Sequence, residues 1–198
     1  ELGGNVIPAA VPDFKNEYRR LLDYFVTQIR KLGVKTIFGT EATREMIISM
    51  NPDVVFLATG SRPAIPDMPG VEKDIAITAV DLLMQKPDIG KNVVVVGGNM
   101  VGSEVALYLA RQGKSVTIVE CMDEIMRDII WINALDIKRR FNGLESDRIS
   151  VKVMTNTVAI EIDDDGLIIN ENGSGSRKLT ADKRILAVGM VRNDNKLC

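Results

Sequence analysis

The sequence contains no histidine and only two cysteines, Cys121 and Cys198. Without histidine the commonest general base and the commonest metal ligand are both missing, so no metal site is expected and any chemistry falls mainly to a bound cofactor. The two cysteines lie far apart, in no CxxC pair and no metal-ligand spacing, which fits a reducing compartment and gives no disulfide framework. Basic and acidic residues nearly balance, 25 against 27, and are scattered, so no basic stripe suggests nucleic acid or an anionic membrane surface. The apolar run Val93–Val96 is far too short to cross a bilayer, and the opening ELGGNVIPAAVP has neither a basic start nor a long apolar stretch. These absences imply a cytoplasmic chain that handles small molecules.

What is present can build a core: 198 residues, 45% of them hydrophobic, suffice for one large domain or two small ones. The chain starts at Glu1 without methionine and stops at VRNDNKLC soon after an apolar strand, so it reads as a fragment of something longer. From Tyr18, the residues Leu21, Leu22, Phe25, Ile29 and Leu32 fall at helical spacing, with Gly33 in place to end the helix. Strands are expected at Val34–Phe38 and Val54–Ala58, with a short helix near Arg44–Met50 between them. The connector SRPAIPDMPG, with three prolines, is expected to cross without regular structure and marks a candidate domain boundary. A short helix near Ala79–Met84, a strand Asn92–Val96, a helix Met100–Gln112 and a strand Ser115–Val119 follow, the last three making one βαβ unit. A helix over Ile130–Phe141 then precedes strands Ile149–Met154, Val158–Ile162 and Leu167–Asn170, the last two joined by the acidic turn DDDG, and a final strand Arg184–Val188.

VVVVGGNMVGSEVALYLARQGKSVTIVE carries the chemistry. A pyrophosphate is held by backbone N–H groups at a helix start, where the helix dipole favours negative charge and glycines let the backbone come close. Gly97 ends the strand and makes the tight turn, and Gly102 allows the helix to pack against the strand. Asn99 stands where the pattern G-x-G-x-x-G has its middle glycine, with Gly98, Met100 and Val101 around it. Asparagine tolerates unusual backbone angles, so weakened but not abolished binding is expected there. Glu120 ends the second strand eighteen residues beyond Gly102, where a carboxylate bonds a ribose 2′-OH and repels a 2′-phosphate. NAD(H) is therefore expected over NADP(H). A tight βα turn in another doubly wound sheet is the bland alternative.

With ELGGNVIPAAVP, DVVFLATGSRP, VVVVGGNMVGSE and ILAVG in this order, the chain resembles, over nearly its whole length, the pyridine-nucleotide and flavin-binding half of the 2,4-dienoyl-CoA reductase, 2-enoate reductase and NADH:flavin oxidoreductase (NADH oxidase) family. The resemblance implies an α/β fold, with a Rossmann-like NAD-binding domain at 71–189 inserted in a truncated FAD-binding domain made of 1–70 and the start of the return at 190–198. It implies NAD(H) at Gly97, Gly98, Asn99, Met100, Val101, Gly102, Glu120 and Gly189, and, in the intact parent, FAD at Gly3, Gly4, Thr59 and Gly60. FMN and an iron–sulfur cluster would lie outside this chain. After Gly189 the family pattern often has proline then asparagine; here Arg192 precedes Asn193. The implied function is hydride transfer from NADH to FAD and on to an activated alkene of the enoate type, performed by the parent rather than by this chain alone. No catalytic side chain is assigned.

Two other readings stay open: a disulfide-reductase-like NADH-dependent flavoprotein, whose redox cysteine pair is missing here, and an NADH-sensing module without catalysis. Glu104 points toward a flavin or partner lysine, or else is exposed or capping. Cys121 is expected to be a small buried filler, and Trp131 with Ile129, Ile130 and Ile132 to be core, with an interface as the alternative. EIDDDGLIINEN superficially resembles a calcium loop, but both end positions fail and a hairpin is expected. An exposed sheet edge would favour a homodimer.

Overall fold

In the computed structural model, which describes residues 1–127, 129–141 and 151–193, the chain divides into two units: Glu1–Arg62 with the residues from Met190 onward, and Pro63–Gly189. The first unit opens with α1, Val6–Ala9, a 3₁₀ turn at Asp13–Lys15, and α2, Asn16–Lys31. The expected helix is thus present and starts two residues earlier than its apolar spacing suggests. It ends where Gly33 takes φ +64° and donates its N–H to Arg30 O at 3.1 Å, a left-handed position that glycine occupies without steric cost. The next helix, α3, Arg44–Ser49, starts at Thr43, whose Oγ1 accepts the Met46 N–H at 3.2 Å.

The strands expected at Val34–Phe38 and Val54–Ala58 do not form. Both segments lack a ladder, and their side chains are exposed, Phe56 at 89%. A strand needs at least one neighbour with which its N–H and C=O groups can pair. Within this unit, among the described residues, the paired strands are β1, Ser61–Pro63, and its partner near the end of the chain. β1 also corrects the expectation that the proline-rich connector is wholly irregular.

The second unit carries a paired sheet of its own. It runs through β2, Ala76–Thr78; α4, Ala79–Gln85; β3, Asn92–Val96; α5, Met100–Arg111; β4, Ser115–Val119; α6, Trp131–Phe141; and β5, Val151–Met154. An antiparallel meander follows, β6, Thr157–Ile162, β7, Gly166–Glu171 and β8, Ser176–Thr180, and then β9, Lys183–Leu186. The strands β2-β9-β3-β4-β5 form one parallel sheet, with Val95 opposite Ile118 on β4 and Ile185 on β9. β3 is central, which is why four valines in a row suit it: both of its faces are covered. Val94, Val96, Val119 and Leu186 point to the meander, where Ile162, Leu167 and Ile169 close a core with Met68 and Met154. α5 packs over β3 and β4 and against α6. β10, Met190–Arg192, lies in the first unit and pairs with β1.

Sequence patterns had not marked β2, β8 or β10 as strands. The expected strand from Ile149 begins outside the described residues, and its described part is β5. The DDDG hairpin forms as expected, with Asp163 N–H donating to Gly166 O at 3.0 Å. It is tied to the sheet by Arg184, which is fully buried on β9 and donates from Nε to Gly166 O at 3.1 Å and from Nη2 to Asp163 O at 3.2 Å. Burial pushes this guanidinium below its ordinary value. No described helix is long and apolar enough to cross a membrane.

Candidate dinucleotide site

Three strand ends meet at the carboxyl edge of the parallel sheet, because the ladder continues one residue past each strand. Gly97 N–H donates to Val119 O at 2.9 Å, Ala187 N–H to Val96 O at 2.8 Å, and Glu120 N–H to Met154 O at 2.9 Å. The residues singled out on β3, β4 and β9 are therefore held side by side by backbone hydrogen bonds, the position at which open α/β sheets bind ligands.

Gly97 has φ +103°, and a Cβ there would stand 2.5 Å from Ala187 O. A Cβ on Gly102 would collide with Gly97 O, so α5 can start only where it does because residue 102 has no side chain. Gly98 is tethered at both its N–H and its carbonyl. Its N–H donates to Glu120 Oε2 at 2.6 Å, and its carbonyl accepts from Ser103 Oγ at 3.1 Å and from Met126 N–H at 2.8 Å. Ser103 and Met126 carried no sequence signal for this role: one lies in a helix interior, and the other reaches the turn only through the fold.

Asn99 corrects an expectation. Its backbone is ordinary, φ −67° and ψ −174°, so nothing at this position requires a glycine or a residue tolerant of unusual angles. It is the N-cap of α5. Oδ1 accepts the Gly102 N–H at 3.1 Å, the carbonyl accepts the Ser103 N–H at 2.9 Å, and Nδ2 donates to Ala187 O at 2.5 Å. Among the described residues, the backbone N–H groups of Met100 and Val101 have no partner. Two amides at a helix start, beside a turn that glycines keep open, make a cradle that fits an anionic diphosphate.

Glu120 is buried yet borders both cavities of the site. Oε2 accepts from Gly98, while Oε1 accepts from Met122 N–H at 2.8 Å and from the Cys121 thiol at 3.3 Å. A carboxylate offers about four acceptor positions, so three accepted bonds leave room for one more donor such as a sugar hydroxyl. One cavity, of about 280 Å³, is lined by Met68, Gly97, Thr157, Val158 and Val188, and the other, of about 190 Å³, by Met122, Met126, Arg127 and Ile129. Asn99 and Glu120 border both. Gly189 lies just beyond β9 with φ +119°.

Cys121 is exposed rather than buried, two residues beyond the end of β4. Its partial burial, and then its bond to Glu120, hold the thiol above its usual value. Glu104 is buried on α5, which removes the solvent-exposed alternative. Trp131, Ile130 and Ile132 are exposed, at 71%, 69% and 52%, so they are not core: α6 turns Ala134, Ile137 and Phe141 inward instead. Among the described residues, no three His, Cys, Asp or Glu side chains stand where they could hold a metal.

The second expected set lies in the first unit. Thr59 Oγ1 donates to Asn193 O at 3.1 Å, Asn193 Nδ2 returns a bond to Thr59 O at 2.8 Å, and Asn193 N–H donates to Gly60 O at 3.0 Å. Gly3 and Gly4 lead into α1, and Asn5 beside them donates to Ser61 O at 3.0 Å. Gly4 and Gly60 are thus brought near one another through their neighbours.

Comparisons with known proteins agree with this architecture. A family profile described as pyridine nucleotide-disulphide oxidoreductase matches residues 4–197. The chain is 35% identical to cinnamate reductase of Clostridium sporogenes over 96% of its own length and 28% of that protein's, and 33% identical to an NADH oxidase of Thermoanaerobacter brockii over 99% and 30%. The structure of a 2-naphthoyl-CoA reductase in complex with 2-naphthoyl-CoA superposes with a TM-score of 0.84 at 34% identity, over 96% of this chain and 28% of that one. The chain therefore spans less than a third of the length of these relatives, and they fall within the enoate-reductase and NADH-oxidase group that the sequence resembles.

Proposed function

The chain belongs to the pyridine nucleotide-disulphide oxidoreductase family, and from that premise we propose that it is the NAD(H)-binding part of a flavin-dependent oxidoreductase. In the longer protein it would serve hydride transfer from NADH to FAD and on to an activated alkene of the enoate or aryl-CoA type. The names cinnamate reductase and 2-naphthoyl-CoA reductase support that class of acceptor, and the name NADH oxidase supports NADH as the donor. The observation that carries the reading is the joined turn and acid: Gly97 to Gly102 opens α5, and Glu120 is bonded to that same turn through Gly98.

When bound, a reduced nicotinamide supplies a hydride; the residues of this chain bind and orient it. Met100 and Val101 donate their N–H groups to the diphosphate, aided by the α5 dipole. Glu120 accepts a ribose hydroxyl with its remaining lone pair and repels a 2′-phosphate. Gly189, with open space on its Cα, leaves the β9 side clear for the nicotinamide end. On this reading 71–189 is the NAD-binding domain, and 1–70 with 190–198 belongs to an FAD-binding domain in which Gly3, Gly4, Thr59 and Gly60 face the flavin nucleotide. FMN and an iron–sulfur cluster belong to other parts of the longer protein.

Calorimetric titration of the chain with NADH and with NADPH tests this. NADH should bind at least about tenfold more tightly, a difference of ~1.4 kcal/mol. Equal affinities, or a preference for NADPH, would refute the role given to Glu120.

A further inference from the structure

The position that departs from the glycine fingerprint carries a side chain with two directional contacts, one to α5 and one to the end of β9. We propose that Asn99 is the positioning residue of the dinucleotide site: its side chain braces the glycine turn against the end of β9 and thereby aims the free N–H groups of Met100 and Val101. The inference rests on the dinucleotide reading above and adds what fixes the geometry of the diphosphate cradle.

Two sets of observations carry it. The first is the brace itself, with Oδ1 on the Gly102 N–H at 3.1 Å and Nδ2 on Ala187 O at 2.5 Å. One side chain thus links the first turn of α5 to β9, two elements separated in sequence by β4 and the whole meander. The second is the space around Ala187. A Cβ on Gly97 would meet its carbonyl oxygen at 2.5 Å, and a Cβ on Gly102 would meet its Cβ at 3.1 Å. Ala187 is itself fixed in the sheet by its N–H bond to Val96 O at 2.8 Å. The turn therefore rests on an immobile neighbour without slack, and the Asn99 bond sets its rotation about that contact.

A glycine at 99 would gain no backbone conformation, because φ there is −67°. It would lose both side-chain bonds and add conformational freedom to the unfolded chain. The cap also selects which amides a ligand meets. With Gly102 N–H occupied by Oδ1, the amides of Met100 and Val101 are left in a fixed direction; without it, three amides compete in a turn that is no longer held.

The test uses the 198-residue chain and the variants Asn99→Gly, Asn99→Ala and Asn99→Ser. Each is titrated with NADH, with ADP-ribose, and with adenosine, which lacks the diphosphate and is followed by NMR. Asn99→Gly and Asn99→Ala should weaken NADH and ADP-ribose about tenfold and leave adenosine within about twofold; Asn99→Ser, which keeps an acceptor for the Gly102 N–H, should lose about threefold. Undiminished NADH binding by Asn99→Gly overturns the proposal. So does an equal loss for adenosine, since that marks general loosening rather than a misdirected cradle. Should Asn99→Gly not fold, unchanged NADH affinity in Asn99→Ser overturns it in the same way. Failure of the unaltered chain to bind either diphosphate ligand refutes the dinucleotide reading itself, and the inference with it.

Discussion

Val93–Val96 and Val54–Leu57 are nearly interchangeable as strings of residues, yet the first is the centre of a sheet and the second is unpaired chain. The four valines of β3 are at most 6% exposed, while Val54, Val55, Phe56 and Leu57 are between 47% and 89% exposed. Composition does not separate them. β3 has β4 on one edge and β9 on the other, with a meander on one face and α5 on the other. The stretch at residue 54 has no strand beside it among the described residues. A parallel strand is a property of its neighbours as much as of its own side chains.

The largest expected effect comes from a cavity in the covered region. Ile118→Ala removes a side chain that is 0% exposed in β4, and it should cost about 2–5 kcal/mol in chemical denaturation. A loss below about 1 kcal/mol would mean that the sheet is not packed as described.

Glu120→Gln comes next. The variant places an amide N–H₂ against backbone donors at Gly98 or Met122, breaking one of the bonds now made at 2.6 and 2.8 Å. A cost of about 1–3 kcal/mol is expected, together with a reduced preference for NADH over NADPH. Unchanged discrimination would detach Glu120 from specificity while leaving its structural role.

Acid should act on the covered region through Asp182, whose Oδ2 accepts the N–H groups of Lys91 and Asn92 at 2.7 and 2.9 Å. These two bonds hold the carboxyl below the usual carboxylate range. A folded value below the unfolded one means that the group stabilises the fold above the unfolded value of 3.8, and that this contribution fades as pH falls through the lower folded value. Asp182→Asn should flatten the acid limb of a stability–pH profile below about pH 4. An unchanged limb assigns the slope to other carboxylates.

The smallest expected effect lies in the uncovered region. Phe56→Ala should change stability by no more than about 0.5 kcal/mol, because a side chain already 89% exposed has little burial to lose. A loss near that of Ile118→Ala would contradict the comparison outright.

The local part of this molecule could be read from its sequence. β3, α5 and β4 follow from a valine run, a glycine-rich turn with an apolar helix behind it and a second β-branched run, all within thirty residues, and the DDDG hairpin follows from turn chemistry. What could not be read was set by distant partners. β2 has only three residues and exists because β9 lies beside it. β8 pairs with β7 out of a polar stretch that carries no strand signal. Ser103 and Met126 hold Gly98 through contacts that no spacing announces. Asn99 was visible as a departure from a pattern, but its two bonds appear only once Ala187 is brought beside the turn.

Amide hydrogen exchange of the chain, with and without NADH, tests both halves of the account at once. Slow exchange is expected at Val93–Val96, Val116–Val119 and Ile185–Leu186, fast exchange at 34–38 and 54–58, and added protection on NADH binding centred on Met100 and Val101. Protection of 54–58 equal to that of β3, or no NADH-dependent change anywhere in Gly97–Gly102, would contradict it.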